Sequence, residues 1–137
     1  MIFIGIDTGT HTGVAVWNSE EKKFLDIKTL MLHQALQFVI TMCQIWKREN
    51  VMVIFEDARQ RKWFGKGSDE KLQGAGSVKR DSAIWEEFCT DYEIPFRAMP
   101  PAKGGTKHNP DFFKAVTGWK GRTSEHARDA AMIVFGR

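Results

Sequence analysis

Two acidic residues each follow a short apolar run of the sequence. Asp7 comes directly after residues 2–6 and Glu56 directly after residues 51–55. Runs of this kind are typical of strands that are covered on both faces, so each carboxylate is expected at the end of a strand. If the two strands are parallel neighbours, both carboxylates emerge at the same edge of the sheet, where open sheets bind ligands. Like charges held so close together favour a cation between them.

A third acid and an imidazole are expected on a helix near the end of the chain. His126 and Asp129 are three residues apart, so a helix presents them on one face. Oxygen ligands of this kind favour Mg²⁺ or Mn²⁺ over zinc. Two such ions about 4 Å apart can activate a water and stabilise the leaving oxygen when a phosphodiester is cleaved. The residues therefore predict phosphoryl transfer to water.

Each member of this set has a role in the hypothesis and a plainer alternative. Asp7 would bridge the two ions, Glu56 and Asp129 would hold one ion each, and His126 would bind a metal or orient the water. Alone, Asp7 could fix a turn, Glu56 could be a solvated strand end, and the other two could be surface helix residues. The joint pattern is much rarer by chance than any one member, and it favours the metal site.

Residues 57–73 combine basic and aromatic side chains in a polar, glycine-interrupted stretch, and we predict a mobile loop there. The basic residues can neutralise phosphates, and an aromatic ring can stack on an unpaired base. The alternative is a solvated loop with two stray aromatics. The candidate nucleic-acid contacts in this loop are Arg59, Arg61, Lys62, Trp63, Phe64, Lys66 and Lys71. A net charge of +3 and a pI near 9.0 agree mildly with a polyanionic partner.

The hydrophobic periodicity predicts the elements that must position these residues. Strands are expected at 2–7, 12–17, 23–30, 51–55 and 94–99, and helices at 32–49, 74–92, 111–117 and 124–135. A Pro- and Gly-rich connection covers residues 100–110. This order predicts an α/β fold with a mixed five-stranded sheet, three strands antiparallel and the later ones parallel, flanked by helices as in the RNase H-like arrangement. Residues 1–137 are expected to form one domain.

Composition excludes several classes of protein. Cys43 and Cys89 are isolated, so neither a disulfide framework nor a zinc site is indicated, and a reducing cytoplasmic location is expected. The first residues lack the basic and long apolar regions of a signal peptide. The apolar runs are too short to span a bilayer, and no membrane association is expected.

Several stretches resemble the RuvC family of Holliday junction resolvases. The opening GIDTGTHTGVAVW, residues 5–17, is similar to the family's first strand, acid, turn and returning strand, and Phe55-Glu56 matches its second motif. Residues 73–85 resemble its glycine-containing helix start, residues 112–118 its lysine-containing segment, and residues 124–134 its terminal acidic helix. The resemblance covers nearly the whole chain, although residues 118–124 form a shorter connection than the family has.

This resemblance implies a homodimeric, Mg²⁺-dependent endonuclease that nicks four-way DNA junctions symmetrically, with Mn²⁺ able to substitute. The loop after Glu56 would probe the centre of the junction. Lys114 would lie near the scissile phosphate as a catalytic residue. Lys79 and Arg80, within the helix-start segment, would join the nucleic-acid contacts.

Three other classes of protein share parts of the pattern. Small YqgF-type proteins implicated in RNA processing fit the length and the opening, but fit His126, Asp129 and Lys114 less well. Actin-like ATPases and sugar kinases have a similar phosphate-binding opening, yet they need two domains, which 137 residues do not supply. A non-catalytic nucleic-acid-binding protein of the same fold is the third alternative, and metal dependence distinguishes it.

Overall fold

The computed structural model describes residues 1–60, 69–102 and 108–137, with the backbone alone for residues 69–75. The strands in these residues are β1 (Ile2–Asp7), β2 (His11–Asn18), β3 (Lys23–Met31), β4 (Val51–Glu56) and β5 (Phe96–Met99). The α-helices are α1 (Leu32–Trp46), α2 (Asp69–Asp91), α3 (Pro110–Thr117) and α4 (Glu125–Val134). No helix in these residues is long and apolar enough to cross a membrane.

The strands form one sheet in the order β3-β2-β1-β4-β5. β1 pairs with β2 and β2 with β3 in antiparallel fashion, while β4 lies parallel to both β1 and β5. The β1–β4 register places Ile2 beside Val51 and Ile6 beside Phe55. This confirms the predicted mixed sheet, and it meets the condition under which Asp7 and Glu56 emerge at one edge of the sheet.

The two faces of the sheet carry separate apolar cores. Side chains alternate along a strand, so Ile4 and Ile6 of β1 and Val53 of β4 face one side, where they pack with residues of α1 and α2. The intervening positions of the same strands, with Ile54 as an example, face α3 and α4. The same alternation places Asp7 and Glu56, the last residues of β1 and β4, on the face of α3 and α4.

Helix α4 lies on the sheet at backbone distance, because two strand positions beneath it carry no side chain. A Cβ added at Gly5 would stand 2.2 Å from the Ala130 carbonyl oxygen, and one at Gly13 would stand 1.9 Å from that of His126. Alanines on the buried face of the helix, of which Ala127 is one, complete the close contact. The helix is thus held directly above β1 and β2.

The boundaries of several elements differ from the predicted ones. The predicted loop over residues 57–73 is wrong in its last part, because α2 begins at Asp69 and not at residue 74. The segment Asp-Glu-Lys-Leu-Gln consists mostly of good helix formers, and its acids favour a helix start. Helix α1 ends at Trp46 because Lys47 adopts a φ of 65°. Strand β5 begins at Phe96, two residues after the predicted start, since the Ile94 N–H donates to the carbonyl of Cys89 in α2.

The glycine contact under α4 predicts a large difference between two equivalent substitutions. Gly5→Ala should lower the free energy of unfolding by about 1–3 kcal/mol, because the added methyl group meets a backbone carbonyl that cannot rotate away. Gly76→Ala is the matched control in helix α2, where an added Cβ meets nothing within 4 Å. It should raise the free energy of unfolding by about 0.5–1 kcal/mol. Urea unfolding measures both, and equal effects would contradict the packing argument.

Candidate metal and nucleic-acid site

The ends of β1 and β4 bring Asp7 and Glu56 to one edge of the sheet. Each follows directly on the last pair of the parallel register, Ile6 with Phe55. Neighbouring strands are about 4.8 Å apart, and residues at the same register level point to the same face. That face is the one covered by α4, because Gly5, two residues before Asp7, lies beneath Ala130.

His126, in the first turn of α4, reaches Asp7 from above. Its Nδ1 lies 2.8 Å from Asp7 Oδ2, with the His126 side chain 51% exposed and that of Asp7 26%. A proton on Nδ1 donates to the carboxylate, which leaves Nε2 of the neutral ring with a free lone pair. The imidazole is thus oriented by the acid, with one nitrogen available as a ligand or a proton acceptor.

The start of α4 is fixed by its cap and by one arginine. The Ser124 hydroxyl accepts from the Ala127 N–H at 3.1 Å and is also hydrogen-bonded to Thr29 on β3. Arg128 donates from Nε to the His108 carbonyl and from Nη1 to the Thr123 carbonyl, each at 2.8 Å. These bonds connect the helix start to β3 and to the segment before α3.

The charges of the acids influence one another. Burial raises the pKa of Asp7, the hydrogen bond from His126 opposes that rise, and the carboxylates of Asp129 and Glu56 add to it. Glu56 and Asp129 are therefore within electrostatic range of Asp7. Within residues 1–60, 69–102 and 108–137, no three His, Cys, Asp or Glu side chains are already gathered closely enough to hold a metal ion. Ligation of one ion by all members of the set stays a prediction.

The donor set nevertheless matches the chemistry of a divalent cation. A half-buried carboxylate whose pKa is raised by burial and further by two other acids is in an environment that a positive ion would relieve. Asp7 uses Oδ2 toward His126, and its second oxygen can serve as a ligand. Oxygen donors of Asp7, Glu56 and Asp129 are those that Mg²⁺ and Mn²⁺ prefer.

Asp57, the residue after Glu56, lies on the opposite side of the sheet and is 4% exposed. Arg59 donates to both of its carboxylate oxygens, from Nε at 2.8 Å and from Nη2 at 2.9 Å. These hydrogen bonds hold the pKa of Asp57 below its ordinary value. Arg59 also pairs with Glu86 on α2. A residue that we predicted as a DNA contact is thus already engaged by two carboxylates.

The structure describes some of the other predicted site residues but not all of them. Lys114 is exposed on α3 and is not among the groups that shift the pKa of Asp7. Lys79 and Arg80 are exposed on α2, the latter 3.7 Å from Asp81. Their roles stay predictions. The remaining predicted nucleic-acid contacts lie outside the described residues, or outside the described side chains in the case of Lys71. They are Arg61, Lys62, Trp63, Phe64, Lys66 and Lys71.

Sequence reasoning missed two groups that matter here. It placed Gly5 and Gly13 in strands and overlooked them as the places where α4 approaches the sheet. A signal was present, because small residues on one face of β1 and β2 match the alanines of the last helix. In the sequence, Asp57 and Arg59 were only two nearby residues of opposite charge, and their hydrogen bonds were not predicted.

An open groove of about 800 Å³ lies at the other end of the sheet, between the end of α1 and the residues before β5. Ile40, Cys43, Tyr92 and Ile94 are among its lining residues. It contains none of the acids at the ends of β1 and β4. The candidate metal ligands therefore lie beside α4 and not in this groove.

The sheet order, the glycine-supported helix and the acids at the strand ends define an RNase H-like fold. More particularly the fold is RuvC-like, since the chain matches a Thermus thermophilus RuvC structure with a TM-score of 0.58. The match covers 99% of this chain and 92% of that chain at 17% sequence identity, so the likeness is one of fold. Comparison with family models and with curated proteins gives no match.

The opposite pKa shifts of Asp7 and Asp57 predict opposite effects of the same substitution. The folded state binds a proton at Asp7 more tightly than the unfolded chain does. The ionisation of Asp7 therefore lowers the free energy of unfolding as the pH rises from 3.8 through the raised pKa. Without divalent cations, Asp7→Asn should therefore raise the free energy of unfolding at pH 7, and the gain should vanish below pH 3.8.

Asp57 is the matched control. Its stabilising contribution is fully present above pH 3.8 and is lost as pH falls through the lowered pKa. Asp57→Asn should cost about 1–3 kcal/mol at pH 7 and less in acid. Urea unfolding between about pH 2.5 and pH 7, from about one unit below to about three units above the ordinary carboxyl pKa, measures both variants. Shifts of the same sign would contradict the assigned environments.

Proposed function

We propose that this chain is a divalent-metal-dependent endonuclease that hydrolyses DNA phosphodiesters at branch points, four-way junctions above all. The observation that carries the proposal is the contact of His126 with Asp7 at the end of β1, directly beside the end of β4. A fold alone permits many functions. A carboxylate, an oriented imidazole and two further acids within electrostatic range favour hydrolysis of a phosphodiester.

Asp7, Glu56 and Asp129 would hold the cation in this proposal. A bound Mg²⁺ or Mn²⁺ ion supplies charge stabilisation for the phosphate and lowers the pKa of water. Asp7 keeps the His126 ring oriented through Oδ2, so that Nε2 can accept the proton of the attacking water. The same carboxylate then stabilises the imidazolium that forms. Lys114 and the exposed basic residues of α2 would contact the DNA backbone.

The choice of branched DNA comes from the sequence resemblance and agrees with the RuvC-like fold. Homodimer formation is part of the same proposal, because symmetric nicking of a four-way junction needs two sites. Sedimentation of the chain with and without a junction tests the dimer separately from cleavage. A monomer that still cuts would exclude symmetric resolution but leave phosphodiester hydrolysis in place.

Cleavage of a labelled panel tests the reaction and its substrate. We expect wild-type protein in Mg²⁺ or Mn²⁺ to place paired nicks in a four-way junction, and Asp7→Asn to lose more than about 100-fold of that rate. Asp26→Asn is the control and should cut normally, because Asp26 is a half-buried acid on β3 that pairs with Lys28. The panel also contains a fork, a duplex, a single strand and an RNA–DNA hybrid.

The remaining outcomes of the panel are informative. Preferential cutting of the hybrid or of RNA would contradict the DNA assignment and favour the RNA-processing relatives. Binding of DNA that is equal with and without chelator, and no cutting of any substrate, would contradict the nuclease and favour a binding protein.

Cation binding has a readout that does not need DNA. Mn²⁺ at 100 times its dissociation constant should stabilise the wild-type fold by about 2.7 kcal/mol, because only the folded chain brings the acids together. Glu56→Gln should lose most of this stabilisation, and Asp26→Asn should keep it. Thermal unfolding with and without Mn²⁺ measures the difference. A cation effect that is equal in all three proteins would place the ion elsewhere.

A further inference from the structure

The chain is held in place immediately after Glu56 by contacts on the other side of the sheet. Glu56 pairs with Met99 of β5, and the Asp57 N–H donates to the Met99 carbonyl at 2.7 Å. Because side chains alternate along a strand, the Asp57 carboxylate points away from the face that Glu56 occupies. There the next residue, Ala58, donates its N–H to the Ser82 hydroxyl of α2 at 3.3 Å.

Arg59 joins this strand end to helix α2. It makes three hydrogen bonds to Asp57, two from the guanidinium and one from its backbone N–H to Oδ1 at 3.0 Å. The same guanidinium donates from Nη2 to Glu86 on α2. We call Asp57, Arg59 and Glu86 the Arg59 clamp. The planar fork of an arginine suits this geometry, because it can serve two carboxylates at once.

A role in binding phosphate conflicts with these contacts. To reach DNA, the Arg59 guanidinium would have to leave the buried carboxylate of Asp57 without its cationic partner, which is strongly unfavourable. Its positive charge is also already balanced by two acids.

We propose that Arg59 is a positioning residue, which fixes the end of β4 against α2 and thereby sets where Glu56 stands, and that it does not contact DNA. The part that concerns Glu56 as a metal ligand rests on the proposed function. The part that concerns the strand end does not. The two parts are tested by different measurements on the full chain.

The substitutions Arg59→Lys and Arg59→Gln separate positioning from phosphate binding. Lysine keeps the charge but cannot form the bidentate fork. A positioning role therefore predicts that Arg59→Lys is already defective, whereas a phosphate contact predicts that it is nearly normal. Arg48→Lys is the matched control, because Arg48 lies near the opposite end of the sheet, where it contacts Tyr92 and Glu93.

Single-turnover cleavage of a four-way junction is measured over a range of Mg²⁺ concentrations. Arg59→Lys should lose about 10–100-fold of the rate at limiting Mg²⁺ and recover much of it at high Mg²⁺, with junction affinity unchanged. In chelator, the slope of log affinity against log salt should be the same for wild type, Arg59→Lys and Arg59→Gln. A slope that falls by about 1 in Arg59→Gln and is restored in Arg59→Lys would overturn the proposal in favour of a phosphate contact.

Amide hydrogen exchange tests the clamp even if the chain cuts no DNA. Loss of about 1.4 kcal/mol of local hydrogen bonding corresponds to about tenfold faster exchange. We expect that change at residues 56–60 in Arg59→Lys, and a smaller one in Glu86→Gln, which removes only the charge on α2. Unchanged exchange in Arg59→Lys would overturn the clamp. A wild type without nuclease activity but with the exchange effect would overturn the proposed function alone.

Discussion

Helix α4 touches the sheet through backbone atoms, and the candidate site depends on that contact. Gly5 and Gly13 leave room for the carbonyls of Ala130 and His126, so the helix lies directly on β1 and β2. At that distance the first turn of the helix brings an imidazole to the end of β1. A side chain at either glycine would raise the helix and separate the imidazole from Asp7, so the packing of this face and its chemistry have the same cause.

The two faces of β4 have different roles: one carries a candidate metal ligand, and the other carries the contacts that hold the strand end. Glu56 lies on the α4 side with the other acids, while Asp57 lies on the α2 side, where Arg59 binds it. Burial raises the pKa of Asp7, and the neighbouring carboxylates add to the rise, whereas the hydrogen bonds from Arg59 lower the pKa of Asp57. The two aspartates at the ends of neighbouring strands thus have opposite pKa shifts because their surroundings differ.

Much of the fold and part of the site could be predicted from the sequence. Unbroken apolar runs indicated β1 and β4, and the acids that follow them lie where the runs predicted, since periodicity depends on burial alone. The glycine contacts were missed, because a glycine that admits a helix looks in sequence like any other glycine, and the alanines that match it lie far along the chain. The role of Arg59 was also hidden, since a basic residue in a polar stretch does not reveal whether phosphate or a buried carboxylate is its partner.

Glu56 and Asp57, at the end of β4, face opposite sides of the sheet, so the effect of a change in the length of β4 depends on whether it adds or removes an odd or an even number of residues. Deletion or insertion of one residue within 51–55 would turn the strand over from that point, as alternation requires. Asp57 would then enter the face of α4, and Glu56 would meet the guanidinium that now holds its neighbour. Relatives of this chain should therefore vary the length of β4 in steps of two residues, whereas length changes before Val51 escape the rule.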